Sequence, residues 1–150
     1  MKGKSHSDEV NIPPEELKPA ISEKVLNLCK QGYALYDQGD NKIALRRFYS
    51  AWNLLPKPQT DWQEAGWVLT AIGDAYFAKG DFENGKQALL SAMHCPLASG
   101  NPIIHLRLGQ CHFELAEYGA ARDQFSQVIS QGNLALLKKE NPKYLKSMNS

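Results

Sequence analysis

The sequence predicts an all-α protein, a solenoid of three helix pairs closed by short C-terminal capping helices. Two observations carry this reading. One pattern of small and large apolar residues recurs three times in register along the chain. Each recurrence has a turn signal midway: Gly39-Asp40, Gly80-Asp81 and Ala116-Glu117. Composition permits such a core, since 43% of the 150 residues are hydrophobic and 22% charged, enough for a single domain.

The first recurrence reads Leu28, Gly32, Gly39-Asp40, Ala44, Phe48, Ala51, Pro56. The second reads Leu69, Ile72-Gly73, Tyr76, Gly80-Asp81-Phe82, Gly85, Leu89, Ala92. The third reads Leu108-Gly109, His112, Ala116-Glu117-Tyr118, Ala121, Phe125, Val128. From Gly32 to Gly73 is 41 residues and from Gly73 to Gly109 is 36. The unit is about 34 residues, so the first linker carries about seven extra. A glycine late in the first helix of each pair admits the second helix closely, and this outweighs a helix penalty of about 1 kcal/mol. In the turns, glycine supplies a left-handed residue and aspartate caps the next helix. The third turn lacks both and is expected to be less well specified. Ala44, Gly85 and Ala121 are small at the crossing points, whereas Phe48, Leu89 and Phe125 fill the space between helices. Pro56 closes the first unit.

In order, helices are predicted over residues 20–38, 41–54, 61–79, 82–94, 102–115 and 118–131. Pro13-Pro14 ends a polar N-terminal arm. Asp61, with Glu64 three residues on, reads as an N-cap with a capping-box-like partner. The extra residues 59–65 are therefore expected to lengthen the third helix and carry Trp62 outward. Asn101-Pro102 is a second start signal. Beyond Gly132, residues 134–139 and 142–148 read as short pieces covering the apolar end of the stack. The domain plan is a flexible arm over 1–18, a three-repeat domain over 19–135 (units 25–58, 66–99 and 102–135), and a C-terminal cap with a basic tail over 136–150.

These residues resemble the tetratricopeptide-repeat (TPR) pattern over roughly residues 25 to 135. That resemblance implies a right-handed α-solenoid whose first helices line a concave surface. Departures are Gln31 in place of an apolar residue, Gly85 where alanine is usual, and His105 and His112 at sites normally large and apolar or aromatic. Counting each unit from Val25, Gly66 and Pro102, positions 2, 5, 9 and 12 form the stripe that the resemblance turns inward. They are Leu26, Cys29, Tyr33 and Tyr36, then Trp67, Thr70, Asp74 and Phe77, then Ile103, Leu106, Gln110 and Phe113. Asp37 and Glu114 follow at position 13 of the first and third units. Rings on a surface that meets water suggest binding anchors.

The candidate groove residues are therefore Tyr33, Tyr36, Asp37, Trp67, Thr70, Asp74, Phe77, Leu106, Gln110, Phe113 and Glu114. The expected ligand is a polypeptide with apolar anchors and some Lys or Arg. The alternative is that the N-terminal arm or the C-terminal tail fills the groove and buries the rings. Some family members grip a chaperone's terminal carboxylate with Lys at position 5 and Asn at position 9 of the first unit. Cys29 and Tyr33 stand there, so that mode does not fit.

Chemistry and other partners are weakly supported. The net charge is +1, poor for wrapping a nucleic acid, and Lys138, Lys139, Lys143 and Lys146 against Glu140 read as a solvated basic tail. Three cysteines, Cys29, Cys95 and Cys111, suggest no disulfide framework but a reducing, cytoplasmic setting. No signal-peptide-like core opens the chain, and no apolar run is long enough to span a membrane. His105 and His112 are seven apart, too far for the i, i+4 metal pair. No phosphate-cradling glycine loop is present. The expectation is no enzyme, no metal and no cofactor.

Several stretches carry a closer resemblance: Asp61-Trp62 through Gly66-Trp67, residues 71–77, His94-Cys95-Pro96, residues 100–110 and Asn141-Pro142-Lys143-Tyr144-Leu145. They are similar to short stand-alone bacterial TPR proteins associated with polymorphic toxin loci. That implies a bacterial protein with one dedicated partner. Three functions stay open: a general interaction module, an immunity protein that neutralises a toxin, and a translocator chaperone of type III secretion.

Overall fold

The computed structural model describes residues 16–149, so the expected N-terminal arm and Pro13-Pro14 lie almost wholly outside the described residues. Within the stretch assigned to the arm, Leu17 is buried in the core. The helices are α1 (Pro19–Asp37), α2 (Asn41–Leu54), α3 (Gln63–Ala78), α4 (Phe82–Ala92), α5 (Pro102–Glu114), α6 (Tyr118–Ser130), α7 (Leu134–Lys138) and α8 (Pro142–Lys146). No strand occurs among the described residues, and no helix there is long and apolar enough to cross a membrane. α1 pairs with α2, α3 with α4 and α5 with α6; each pair packs on the next, and the first helices also touch along the stack. This is a right-handed α-solenoid with short C-terminal capping helices.

The pairs close at the glycines. A Cβ on Gly73 would lie 2.6 Å from Leu89 Cγ, and one on Gly109 would lie 2.6 Å from Phe125 Cε1. A Cβ on Gly32 would collide with the Phe48 ring. Gly85 is also explained, since a Cβ there would stand 3.2 Å from Cys111 Sγ, on the neighbouring pair. Phe48, Leu89 and Phe125 are wholly buried against these gaps.

The turns repeat one hydrogen-bond scheme. Asp40 N–H bonds the Leu35 carbonyl and Gly39 N–H the Tyr36 carbonyl; Asp81 and Gly80 do the same to Tyr76 and Phe77. This is the Schellman closure, and it needs a left-handed residue, met by Gly39 at φ +83° and Gly80 at φ +79°. The third turn makes the same bonds, from Glu117 to His112 and from Ala116 to Phe113, with Ala116 forced to φ +62°. The turn expected to be loosely specified thus follows the same path, with strain stored in an alanine. Asp40 and Asp81 accept from Ile43 N and Asn84 N at 3.2 and 3.3 Å, as capping requires. Glu117 makes no cap bond and instead binds His112 Nδ1 at 2.8 Å and Lys86 Nζ at 3.1 Å.

The first linker departs from expectation. Residues Gln59–Asp61 form a separate 3-10 turn, and α3 starts at Gln63 without a side-chain cap. Asp61 is therefore not the cap of α3, and Glu64 accepts instead from Ser22 Oγ at 2.7 Å on α1. Trp62 does not swing outward: its ring packs on the core and its Nε1 donates to the Pro56 carbonyl at 2.7 Å. An outward indole would leave apolar surface in water, whereas the folded-back linker supplies both cover and an acceptor. Asn101 caps α5 as expected, accepting from Ile103 N at 2.9 Å.

The C-terminal pieces close the stack. Leu137 and Tyr144 are buried with Leu106, Ala121, Phe125 and Val128. α7 and α8 thus occupy the place that the first helix of a further pair would take.

Candidate partner-binding face

Position 9 of each unit feeds one polar chain across the concave face. Tyr33 Oη donates to Asp74 Oδ2 at 2.9 Å. Asp74 Oδ1 accepts from Arg107 Nε at 2.8 Å. Arg107 Nη1 donates to Gln110 Oε1 at 2.8 Å and to Glu140 Oε1 at 3.3 Å, and Gln110 Nε2 donates to the same Glu140 oxygen at 2.6 Å. The guanidinium also lies 4.9 Å from the Phe77 ring centroid. Burial alone would lower the Arg107 pKa, but Asp74 and Glu140 outweigh it and hold the group protonated. Burial, reinforced by Asp74, pushes the Tyr33 phenol up, so it stays a donor.

This chain of bonds closes much of the predicted groove. Thr70, Asp74, Leu106 and Gln110 are buried, with Thr70 Oγ1 donating to the Gly66 carbonyl at 2.7 Å. The third unit's share is covered by α8. Tyr144 stands edge-on to Phe113 at 5.2 Å, and Glu114 Oε2 accepts from Tyr144 Oη and Lys143 Nζ, each at 2.6 Å. Of the carboxylates expected to make the face acidic, Asp74 is paired with Arg107 and Glu114 with Lys143. Asp37 stays exposed. Tyr36 and Phe77 are half-buried, Tyr36 edge-on to Tyr33 at 5.8 Å.

Open apolar surface collects at the N-terminal end. There a hollow of about 500 Å³ is lined by Leu26, Cys29, Lys30, Tyr33, Ala34, Asp37 and Trp67. Trp67 is 41% exposed and Leu26 39%. Tyr33, Asp37 and Trp67 belong to the sequence-predicted set. Leu26 and Cys29 lie on the same stripe but were not singled out. Lys30 and Ala34, one residue further round α1, were missed. Both are exposed on the flank of α1 that faces away from α2, beside the stripe the repeat register picks out.

The three cysteines and His105 are all buried in the fold. Burial pushes the Cys29 and Cys95 thiols up to about 11 and Cys111 to about 12, which keeps them protonated at neutral pH. His105 is buried between Gln124 Oε1 at 2.7 Å and the Ser99 carbonyl at 3.2 Å. Among the described residues no cluster of His, Cys, Asp or Glu is arranged to hold a metal ion.

Three stacked pairs, each turned by a Schellman closure, with a concave face of first helices, define a TPR solenoid. Solved structures of that class superpose on the chain. The first TPR of Spaghetti (RPAP3), bound to the HSP90 peptide SRMEEVD, matches with a TM-score of 0.65 and 18% identity, over 85% of this chain and 92% of that one. The first TPR domain of human RPAP3 matches with a TM-score of 0.66 and 16% identity, over 85% and 89%. At such identities the likeness establishes the fold alone. No protein-family model and no curated protein matches the sequence.

Proposed function

We propose that this chain is a non-enzymatic protein–protein interaction module that seats a polypeptide in the hollow at the N-terminal end of its concave face. The observation that carries the reading is the pairing of Leu26 and Trp67, both over a third exposed, across a 500 Å³ hollow. Beside it, the remainder of the face is satisfied from within. The partner supplies an apolar or aromatic anchor to that hollow and a basic residue to exposed Asp37, beside Lys30. The Spaghetti domain holds a peptide, which is consistent with this class of ligand. A terminal carboxylate is not the recognised group. Position 5 carries the buried, protonated Cys29, and position 9 carries Tyr33, whose hydroxyl is committed to Asp74.

Immunity to a toxin and chaperoning of a translocator are narrower forms of this reading, supported by sequence resemblance alone, as are a bacterial source and a cytoplasmic setting. Capture from the native cell by the immobilised chain tests the reading, with the product of the adjacent gene as first candidate. Leu26→Ala combined with Trp67→Ala is expected to weaken capture by at least about tenfold at an unchanged melting temperature, since both side chains are exposed. A double variant that retains the wild-type partners would refute the hollow as the site.

A further inference from the structure

A second cavity, about 530 Å³, lies at the opposite end of the stack, lined by Phe113 of α5, Tyr118 and Arg122 of α6, and Lys143, Lys146 and Ser147 at α8. Its chemistry differs from that of the hollow: three cations and two rings line it, and no carboxylate does. Arg122 and Lys146 are exposed and, among the described residues, form no ion pair. Lys143 binds Glu114 Oε2 at 2.6 Å and lies 5.7 Å from the Phe113 centroid. Glu114 thus offsets one of the three positive charges. The other nearby acids are spent or turned away: Glu117 is bound to Lys86 and His112, and Asp123 does not line the cavity.

These cations are not a loose tail. Lys143 and Lys146 are one turn apart on α8, which is anchored by buried Tyr144 and capped by Asn141. Arg122 sits on α6, whose Phe125 and Val128 are wholly buried. One turn before Arg122 on the same helix, Tyr118 presents a ring that is 54% exposed, edge-on to Phe113 at 5.2 Å. Unneutralised guanidinium and ammonium groups carried on anchored helices beside an open ring suit a carboxylate flanked by an apolar side chain. The carboxylate gains charge-assisted bonds and its neighbour gains ring contact.

We propose that this cavity docks an acidic segment of a partner polypeptide. An aspartate or glutamate side chain sits between Arg122 and Lys146, and an adjacent aromatic or aliphatic side chain lies on Tyr118 and Phe113. This second site is independent of the hollow at Leu26 and Trp67.

The test is fluorescence anisotropy of the full chain with a labelled Asp-Glu-Phe-Asp-Glu peptide and with Lys-Lys-Phe-Lys-Lys as its reversed-charge counterpart. The acidic peptide is expected to bind saturably and to weaken as salt rises. Arg122→Glu with Lys146→Glu, both exposed, is expected to weaken it at least about tenfold, and Trp67→Ala to leave it unchanged. Lys146→Gln, with a smaller loss, guards against misfolding of the double variant. Equal binding by wild type and charge-reversed chains, no binding of the acidic peptide, or equal binding of the basic one would overturn the proposal. So would an oligonucleotide that competes better than unlabelled acidic peptide, since the partner would then be a nucleic acid.

Discussion

Ala116 carries a burden that Gly39 and Gly80 carry without cost. At φ +62° its Cβ crowds the following carbonyl, while the equivalent glycines have none. Replacing Ala116 by Gly is therefore expected to raise stability by about 1 kcal/mol, or a melting temperature higher by about 3 °C. The reverse exchange, Gly73→Ala, has the opposite sign. Helix propensity favours alanine, but the new Cβ would lie 2.6 Å from Leu89 Cγ, and overpacking of this kind costs about 1–3 kcal/mol. Thermal melts of the two variants check both signs. Glu114 adds a pH dependence. Burial pushes its carboxyl up, but the hydrogen bonds from Lys143 and Tyr144 outweigh that and hold it below the usual carboxylate range. The unfolded chain then binds more protons below its ordinary value of about 4.3, so stability falls as pH drops through that value towards the lower folded one. Melting curves across the acid range should show this loss in the wild type and less of it in Glu114→Gln.

The helices differ in how openly they announced themselves. α2 spans the predicted residues, and α1, α4, α5 and α6 end within two residues of expectation, because small residues at crossings and left-handed turn residues act over short range. The start of α3 was misread for the opposite reason. Asp61 and Glu64 have the spacing of a cap, but Trp62 found its acceptor at Pro56 and Glu64 its donor at Ser22, contacts that spacing does not encode. Between elements, Arg107 of α5 ties α3 and the loop before α8 together through Asp74 and Glu140, and α1 joins through the bond from Tyr33 to Asp74. Arg107→Ala leaves the Asp74 carboxylate buried without its cation and is expected to cost about 3 kcal/mol. Asp74→Asn in the same chain should recover part of that loss. A double-mutant cycle by denaturant unfolding measures the coupling, and strictly additive losses would argue against the pairing as a stabilising contact.

At the scale of the molecule, a solenoid of three pairs has two unlike ends, and each end presents different chemistry. At one end, Leu26, Ala34 and Trp67 stand around an apolar hollow. At the other, α7 and α8 stand where the first helix of a further pair would be, and α8 holds Lys143 and Lys146 beside Tyr118 and Arg122. Between them the face is knit by its own side chains. The expectation of a ringed, acidic groove along three units thus contracts to a shorter hollow, because Tyr144 and Lys143 reach back onto Phe113 and Glu114. Of the competing expectation, that a terminus fills the groove, the C-terminal part describes the third unit's end of the face, and the N-terminal arm lies almost wholly outside the described residues.

The sequence by itself determined the repeat, the pairing of helices and the close approaches at Gly32, Gly73 and Gly109. All of these follow from residue size and backbone conformation at fixed short spacing. Only the tertiary structure decided which of the inward residues meet solvent. Whether Asp74 is a free charge depends on Arg107, 33 residues away, and whether Phe113 is open depends on Tyr144. Such partners are chosen by packing between distant helices, and no local spacing specifies them.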